Sequence, residues 1–388
     1  MKISRLESLL KKEEHRAFIL DHLEAPIEKA LLKYAADPNK RLLLEQVAAR
    51  QRIRKKLPGW YENPHLILPP RLNLEQASSE ETAALKASLF KGAHFADLTG
   101  GLGIDSIAFS KKFDKLTYND RDPLLAEIAR YNFNILGLQA TVCQEPAEEL
   151  IGKLPQQDLL YLDPARRSKI GTKLISLLDY QPPLPGLLPA ARKKARQILV
   201  KLSPMLSVSE VEKVLKPAEI WMISYRNEGK ELLALLSPSA QSGKISYRAW
   251  NINAADTQYF EKDEIATATE PGAVDTYLFE PNSSLLKLNL SDAHASELGL
   301  KKIQAFSHLF TASEDKPHFQ GRRFFVKKQH RSLTKSFKAK PLSVLVRNHP
   351  LKAEEVRKRF KLKQSDNQFL IITTDLKGAL YLEAERLF

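Results

Sequence analysis

A doubly wound α/β fold is predicted by three observations. Short apolar runs alternate with helical patterns through the middle of the chain, the order that builds a parallel sheet covered by helices. Three of those runs end in a carboxylate, at Asp97, Asp120 and Asp163. The first run, Ala93-His-Phe-Ala-Asp97, breaks into Gly100, Gly101 and Gly103 and resumes as Ile104-Asp-Ser-Ile-Ala-Phe109 with helical apolar spacing. Strand, glycine turn and helix together bring a backbone close to a nucleotide-like ligand at a helix N-terminus. A side chain at Gly101 or Gly103 would fill the ligand's space, and such turns often require positive φ.

Residues 1–70 read as a helical region. Ile27, Leu31, Leu32 and Tyr34 form a stripe, Asp37-Pro-Asn breaks it, and Leu42 to Ile53 resumes it. The basic run Arg50-Gln-Arg-Ile-Arg-Lys-Lys56 is either a phosphate contact or a solvated helix end. Trp60 and Tyr61 stand in a turn-rich connector and read as exposed. Leu74-Glu-Gln-Ala-Ser-Ser-Glu-Glu-Thr82 marks a helix start, capped by Ser78 or Ser79.

Asp97 decides between ligands. A dinucleotide's pyrophosphate packs against the glycine turn and disfavours an acid there, and the third small residue of that fingerprint is here Ser106. S-adenosylmethionine (AdoMet) carries an α-ammonium and a sulfonium and no phosphate, so a carboxylate suits it. Asp97-Leu-Thr-Gly-Gly-Leu-Gly103 resembles motif I of the class I, Rossmann-like AdoMet-dependent methyltransferases. A glycine-rich turn of another doubly wound protein is the alternative reading of this segment taken alone. The resemblance implies a seven-stranded methyltransferase sheet over residues 71–250, with Gly100, Gly101 and Gly103 seating the methionine and Asp97 facing its ammonium.

The second strand, Lys115-Leu-Thr-Tyr-Asn-Asp120, places Asp120 at the spacing where an acid accepts both ribose hydroxyls. Asp122-Pro123 opens the next helix, which carries Ala-Arg-Tyr-Asn132. After the third strand, Ala140-Thr-Val-Cys143, methyltransferases of this class often place an Asp on the adenine amino group. Gln144-Glu145 stands there instead, and Glu145 is the substitute candidate.

The fourth strand ends in Asp163-Pro164-Ala-Arg166-Arg167. The resemblance makes this motif IV, beside the transferring methyl, with Asp163 and Pro164 as the catalytic pair. Asp163 can accept a hydrogen bond from an acceptor N–H and take its proton. The second Pro and the stacking aromatic of base-amino methyltransferases are absent. Arg166 or Arg167 offers a phosphate contact or a guanidinium face instead. Strands at Gln197–Leu202 and Glu219–Tyr225 follow, with Lys244 to Trp250 as a last antiparallel strand and residues 251–271 as a linker.

Residues 272–315 read as a small ferredoxin-like α+β domain and 316–388 as a basic α+β module. The element order, Leu-Glu-Gln-x-Ser-Ser-Glu before motif I and Asp-Pro-Ala-Arg-Arg at motif IV resemble a bacterial methyltransferase subgroup with a C-terminal THUMP-like domain. That resemblance implies an RNA acceptor, tRNA or rRNA.

Charge agrees independently. Of the +14 net charge on 388 residues, residues 316–388 hold 18 Lys and Arg against 6 Asp and Glu. Residues 76–240 hold 21 basic against 19 acidic groups, so the excess is a C-terminal property suited to a polyanion. A single cysteine, Cys143, allows no internal disulfide, and the chain shows neither a signal peptide nor a membrane span; the expectation is cytoplasmic. No His or Cys spacing predicts a metal, and no Gly-Lys-Ser/Thr loop predicts an NTPase. Three functional readings stay open: an AdoMet-dependent RNA methyltransferase, a methyltransferase with another acceptor, and an RNA-binding protein whose methyltransferase domain has lost its chemistry. A dehydrogenase would need NAD against Asp97.

Overall fold

The computed structural model describes residues 3–69, 71–166, 176–237, 244–253, 256–263 and 270–387. Two compact units divide the chain, one of residues 1–218 with 233–243, the other of 219–232 with 244–388.

The first unit is built on five parallel strands. In chain order they are β1 (Gly92–Asp97), β2 (Phe113–Asn119), β3 (Ala140–Cys143), β4 (Gln157–Leu162) and β5 (Ala195–Leu202). They lie side by side in the order β3-β2-β1-β4-β5. Crossovers run through the helices Ile104–Ser110, Pro123–Ile135, Ala147–Lys153 and Leu184–Lys194. Each crossover is dictated locally. Gly103 enters the first helix at φ 81°, Asp122 caps the second by accepting from Leu124 N, and Pro123 opens it. Phe95 stacks on Phe109 at 4.6 Å between ring centroids, seating β1 on the helix that follows it.

Helices Ile3–Leu10, Glu13–Asp21, Ile27–Lys33 and Pro38–Ile53 form the N-terminal region. Their apolar stripe packs into one cluster with Ile67 and with Ile128 of the Pro123–Ile135 helix, so the region is part of the first unit's core. Two side chains fasten the segment that follows. Asn132 both accepts from Ile67 N and donates to Ile67 O, at 2.9 Å each way. Arg50 is wholly buried and donates to the carbonyls of Gln46, Asn63 and Leu66; it is a structural pin, and a phosphate contact is excluded for it. Trp60 and Tyr61 are likewise buried, because the turn folds back under the Pro38–Ile53 helix.

The second unit contains β6 (Glu219–Tyr225), the first five residues of β7 (Glu228–Leu236), β8 (Ser246–Ile252) and β9 (Thr257–Lys262), in the order β9-β8-β6-β7. Arg226 and Asn227, at φ 49° and 66°, make the two-residue left-handed turn that joins β6 to β7 as a hairpin. The seven strands read from the sequence are all present, and β7 and β9 join them. Two local readings change. β8 pairs parallel with β6, so it is not antiparallel, and β9 occupies part of the predicted linker and pairs antiparallel with β8.

The C-terminal sheet comprises β10 (Tyr277–Pro281), β11 (Phe310–Ala312), β12 (Gly321–His330), β13 (Ser343–Val346), β14 (Gln368–Asp375) and β15 (Gly378–Leu387). With the short strand Lys301–Lys302 at its edge, the order runs Lys301–Lys302, β11, β10, β12, β15, β14, β13. Only β13 and β14 pair in parallel, and the helix Ala353–Phe360 makes their crossover.

Candidate active site

The register of β1 against its neighbours sets where the three carboxylates stand. Asp97 lies level with Tyr118 of β2 and Tyr161 of β4, so Asp120 and Asp163 each follow two residues beyond that level. All three occupy the C-terminal ends of adjacent parallel strands, where open α/β sheets bind ligands. Backbone bonds lock these tips together: Leu98 N donates to Tyr161 O at 3.1 Å, Gly100 N to Asn119 O at 2.8 Å, and Asp163 N to Thr99 Oγ1 at 2.6 Å. An open basin of about 880 Å³ lies at the opposite strand ends, lined by Gly92, His94, Asp158 and Arg196 among others, away from all three carboxylates.

The glycines divide their work. A Cβ at Gly100 would sit 2.0 Å from the Tyr118 ring, and one at Gly103 would press on Phe133 at 3.0 Å. Both are glycine because aromatic rings pack beneath the turn. Gly101 differs: at φ 54° its missing Cβ faces open space, with nothing within 4 Å. Gly101 is therefore the one of the three whose bareness leaves open space over the turn.

Asp120 is paired to this turn. Its Oδ2 accepts from Gly101 N at 2.9 Å and its Oδ1 from Asp122 N at 2.8 Å. The amide that would greet a phosphate at this turn is already turned onto an acid. Each Asp120 oxygen spends one lone pair on these bonds and keeps another for a hydroxyl, the pattern a vicinal diol requires. Burial pushes the Asp120 carboxyl above its ordinary range, against the two backbone donors.

Asp97 is 1% exposed and braces the turn from within, accepting from Ser106 Oγ at 2.6 Å and Thr99 N at 3.1 Å. Burial pushes its carboxyl up to about 7, opposed by those two donors and reinforced by the nearby charges of Asp105 and Asp163. It is a buried charge within the turn rather than an open contact.

Glu145 is held by its backbone: its N donates to Asn119 Oδ1 at 3.0 Å, and its O accepts from Asn119 Nδ2 at 3.0 Å. Its carboxylate pairs with Lys153. The side chain is thus turned toward the following helix, Ala147–Lys153, while its backbone lies against the end of β2.

Asp163, followed by buried Pro164, is joined to a group of side chains that sequence reasoning did not assemble. Lys201 Nζ of β5 lies 2.6 Å from Asp163 Oδ2, donates to Ser78 Oγ at 3.0 Å and stands 3.8 Å from Asp105 Oδ2. Lys86 Nζ, wholly buried, lies 2.8 Å from Asp105 Oδ1 and donates to Ser78 Oγ at 3.0 Å. Asp105 Oδ2 accepts from Ser78 Oγ at 2.7 Å and from Tyr161 OH at 3.0 Å. Burial alone would raise Asp105, but Lys86 and Lys201 outweigh it and hold the carboxyl down at about 2. For Asp163 the balance is reversed: burial raises it despite Lys201. Ser79, not Ser78, caps the helix Glu80–Ser88, which frees Ser78 for this network. The sequence did carry a signal. Lys201 interrupts the apolar strand Ile-Leu-Val-Lys-Leu, and Lys86 shares a helix stripe with Ala83 and Ala87; a cation on a buried face needs a partner.

Arg166 pairs with Tyr180 through the backbone of a short antiparallel ladder, and Arg167 lies outside the described residues. Among the described residues, no group of three His, Cys, Asp or Glu is disposed to hold a metal, and no helix is long and apolar enough to cross a membrane.

Comparison with known proteins adds three findings. Residues 277–319 match a ferredoxin-like domain model, and residues 321–386 match a THUMP domain-like model. The chain is 24% identical over 312 residues, 79% of its length and 84% of the relative's, to an uncharacterized S-adenosylmethionine-dependent methyltransferase found in two strains of Mycobacterium tuberculosis. A solved structure from Porphyromonas gingivalis W83, named as a methyltransferase, superposes with a TM-score of 0.81 at 26% identity, covering 96% of this chain and 97% of that one.

Proposed function

We propose that this chain, a class I (Rossmann-like) AdoMet-dependent methyltransferase with a C-terminal THUMP-like domain, methylates structured RNA, either tRNA or rRNA. The observation that carries the cofactor reading is the pairing of Gly101 N with Asp120. It sets an acid beside open backbone, which suits a ribose, while Asp97 under the same turn suits a cation and opposes the pyrophosphate of NAD. The residues fit AdoMet: Asp120 accepts the ribose hydroxyls, the open face of Gly101 takes the methionine portion, and Asp97 balances its ammonium. When bound, AdoMet supplies a methyl group made electrophilic by the sulfonium. Asp163 orients the acceptor and takes its proton. The adenine contact falls to the region of Glu145, whose backbone Asn119 holds against the end of β2.

Asp97 makes cofactor affinity depend on pH. A carboxyl near 7 is largely protonated at pH 6 and ionised at pH 8, while an α-amino group loses its proton at about 7.7–8.0. Affinity measured by calorimetry should rise from pH 6, peak between 7 and 8, and fall beyond. Asp97→Asn removes the acid limb of that curve. The same raised carboxyl favours the free fold most at pH below its unfolded value and gives that stability up as pH climbs through about 7.

Support for RNA comes from the second unit. Ala339 N donates to Phe360 O at 2.9 Å and Lys363 N to Lys340 O at 3.0 Å, so exposed Lys335 and Lys338 are drawn beside exposed Lys361 and Lys363. Changing these four to Glu should weaken binding of bulk RNA by about tenfold or more at low salt and flatten its salt dependence, with AdoMet affinity unchanged. The decisive experiment is transfer of tritium from labelled AdoMet into total RNA from a strain lacking the gene. Label entering protein or small molecules in place of RNA would remove the RNA acceptor.

A further inference from the structure

Among all the charged groups at the strand tips, Lys201 is the one whose placement the methyl-transfer reading leaves unused. β4 and β5 run parallel with Leu162 level with Val200, so Asp163 and Lys201 are the next residues on each strand. Their side chains differ in exposure, 33% for Asp163 and 9% for Lys201, which puts the carboxylate in front and the ammonium behind. The ammonium is itself fixed. Ser78 Oγ, which it reaches at 3.0 Å, donates to Asp105 and accepts from Lys86, so all three of that hydroxyl's hydrogen-bonding positions are filled.

We infer that Lys201 is a positioning residue for methyl transfer, pinning one oxygen of Asp163 and supplying its counter-charge from behind; this rests on the reading that Asp163 faces the acceptor. With Oδ2 engaged by Lys201, Oδ1 receives the acceptor's N–H or O–H and then its proton. Lys201 stands behind Asp163, so its effect on the acceptor passes through that carboxylate. The charged groups that surround Asp163 come from four elements: Lys201 of β5, Asp97 of β1, Asp105 of the helix after the glycine turn, and Lys86 of the helix Glu80–Ser88. Removing Lys201 leaves Asp163 facing two acids and one more distant cation, and the carboxylate becomes harder to ionise.

The test uses the full chain labelled with [γ-13C]aspartate. The resonance missing from Asp163→Asn identifies Asp163, and its titration is followed in wild type, Lys201→Met and Lys201→Arg. The expected result is a midpoint raised by about one unit or more in Lys201→Met and returned toward wild type in Lys201→Arg. In tritium transfer to bulk RNA, the acid limb of the kcat profile should move by the same amount, kcat at pH 7 should fall about tenfold or more, and KM for RNA and the AdoMet Kd should hold. Should Lys201→Met not fold, Lys201→Gln serves in its place. An unmoved Asp163 midpoint, or a loss confined to KM, overturns the inference. If wild type labels no RNA, the RNA reading falls instead, and the carboxyl titration still decides the part played by Lys201.

Discussion

Valine in place of Gly101 should abolish measurable AdoMet binding. Two effects act together at this position. The backbone sits at φ 54°, where an L-residue strains by roughly 1–2 kcal/mol and a β-branched one fares worst. The new side chain then enters the open space that no protein atom fills within 4 Å. Loss of the close approach should raise the Kd by at least about a hundredfold, or roughly 2.7 kcal/mol. Gly137 provides the control. It also has positive φ, 68°, with open space around its Cβ position, but it closes the turn after the Pro123–Ile135 helix, away from the strand tips. Gly137→Val carries comparable backbone strain and should bind AdoMet as wild type does. Calorimetry on both variants separates strain from occlusion. Equal affinities would show that the space over Gly101 is not the cofactor seat.

The parts of this site that were legible in the sequence are those governed by local rules. Strand ends marked by Asp97, Asp120 and Asp163 follow from apolar runs that stop at an acid. The capping role of Asp122 follows from a carboxylate ahead of Pro123. What stayed hidden depends on which residues meet in space. Nothing local in Arg50 distinguishes a buried pin from a surface cation; its partners at Asn63 and Leu66 lie more than ten residues on, across a turn. The rings of Tyr118 and Phe133 beneath Gly100 and Gly103 also stayed hidden, because sequence spacing cannot report them. β7 was missed for a different reason. Its alternation is blurred by the continuous apolar run Leu232-Leu-Ala-Leu-Leu236, buried throughout, and periodicity cannot assign a type to such a run. Lys86, Asp105 and Lys201 come from a helix, a helix and a strand separated widely along the chain, so only the fold reveals them as one network.

That network yields the largest stability effect. Lys86→Met deletes a wholly buried ammonium whose partner, Asp105, is 7% exposed. Methionine fills much of the same volume, so the loss is chiefly electrostatic: a buried carboxylate loses its nearest cation at 2.8 Å, and Lys201 stands farther off at 3.8 Å. Breaking such a pair from one side costs about 3–5 kcal/mol. In wild type Asp105 is held at about 2, below its unfolded value, so its contribution is present at neutral pH and lost only as pH falls through about 2. In the variant the carboxyl rises instead, and a raised carboxyl loses stability as pH climbs. The deficit should therefore be larger at pH 8 than at pH 5. Adding Asp105→Asn to Lys86→Met removes the stranded charge and should restore more than half of the loss, a coupling that an uncharged packing defect would not show. Thermal unfolding with and without AdoMet measures it, because the transition shifted by ligand belongs to the unit that binds it. Since Lys201 shares Asp105 and Ser78 with Lys86, the single variant should also slow methyl transfer by more than its loss of AdoMet affinity explains, and the double variant should not recover that rate. No recovery of stability in the double variant would reduce the network to packing, and recovery of the rate together with the stability would detach methyl transfer from it.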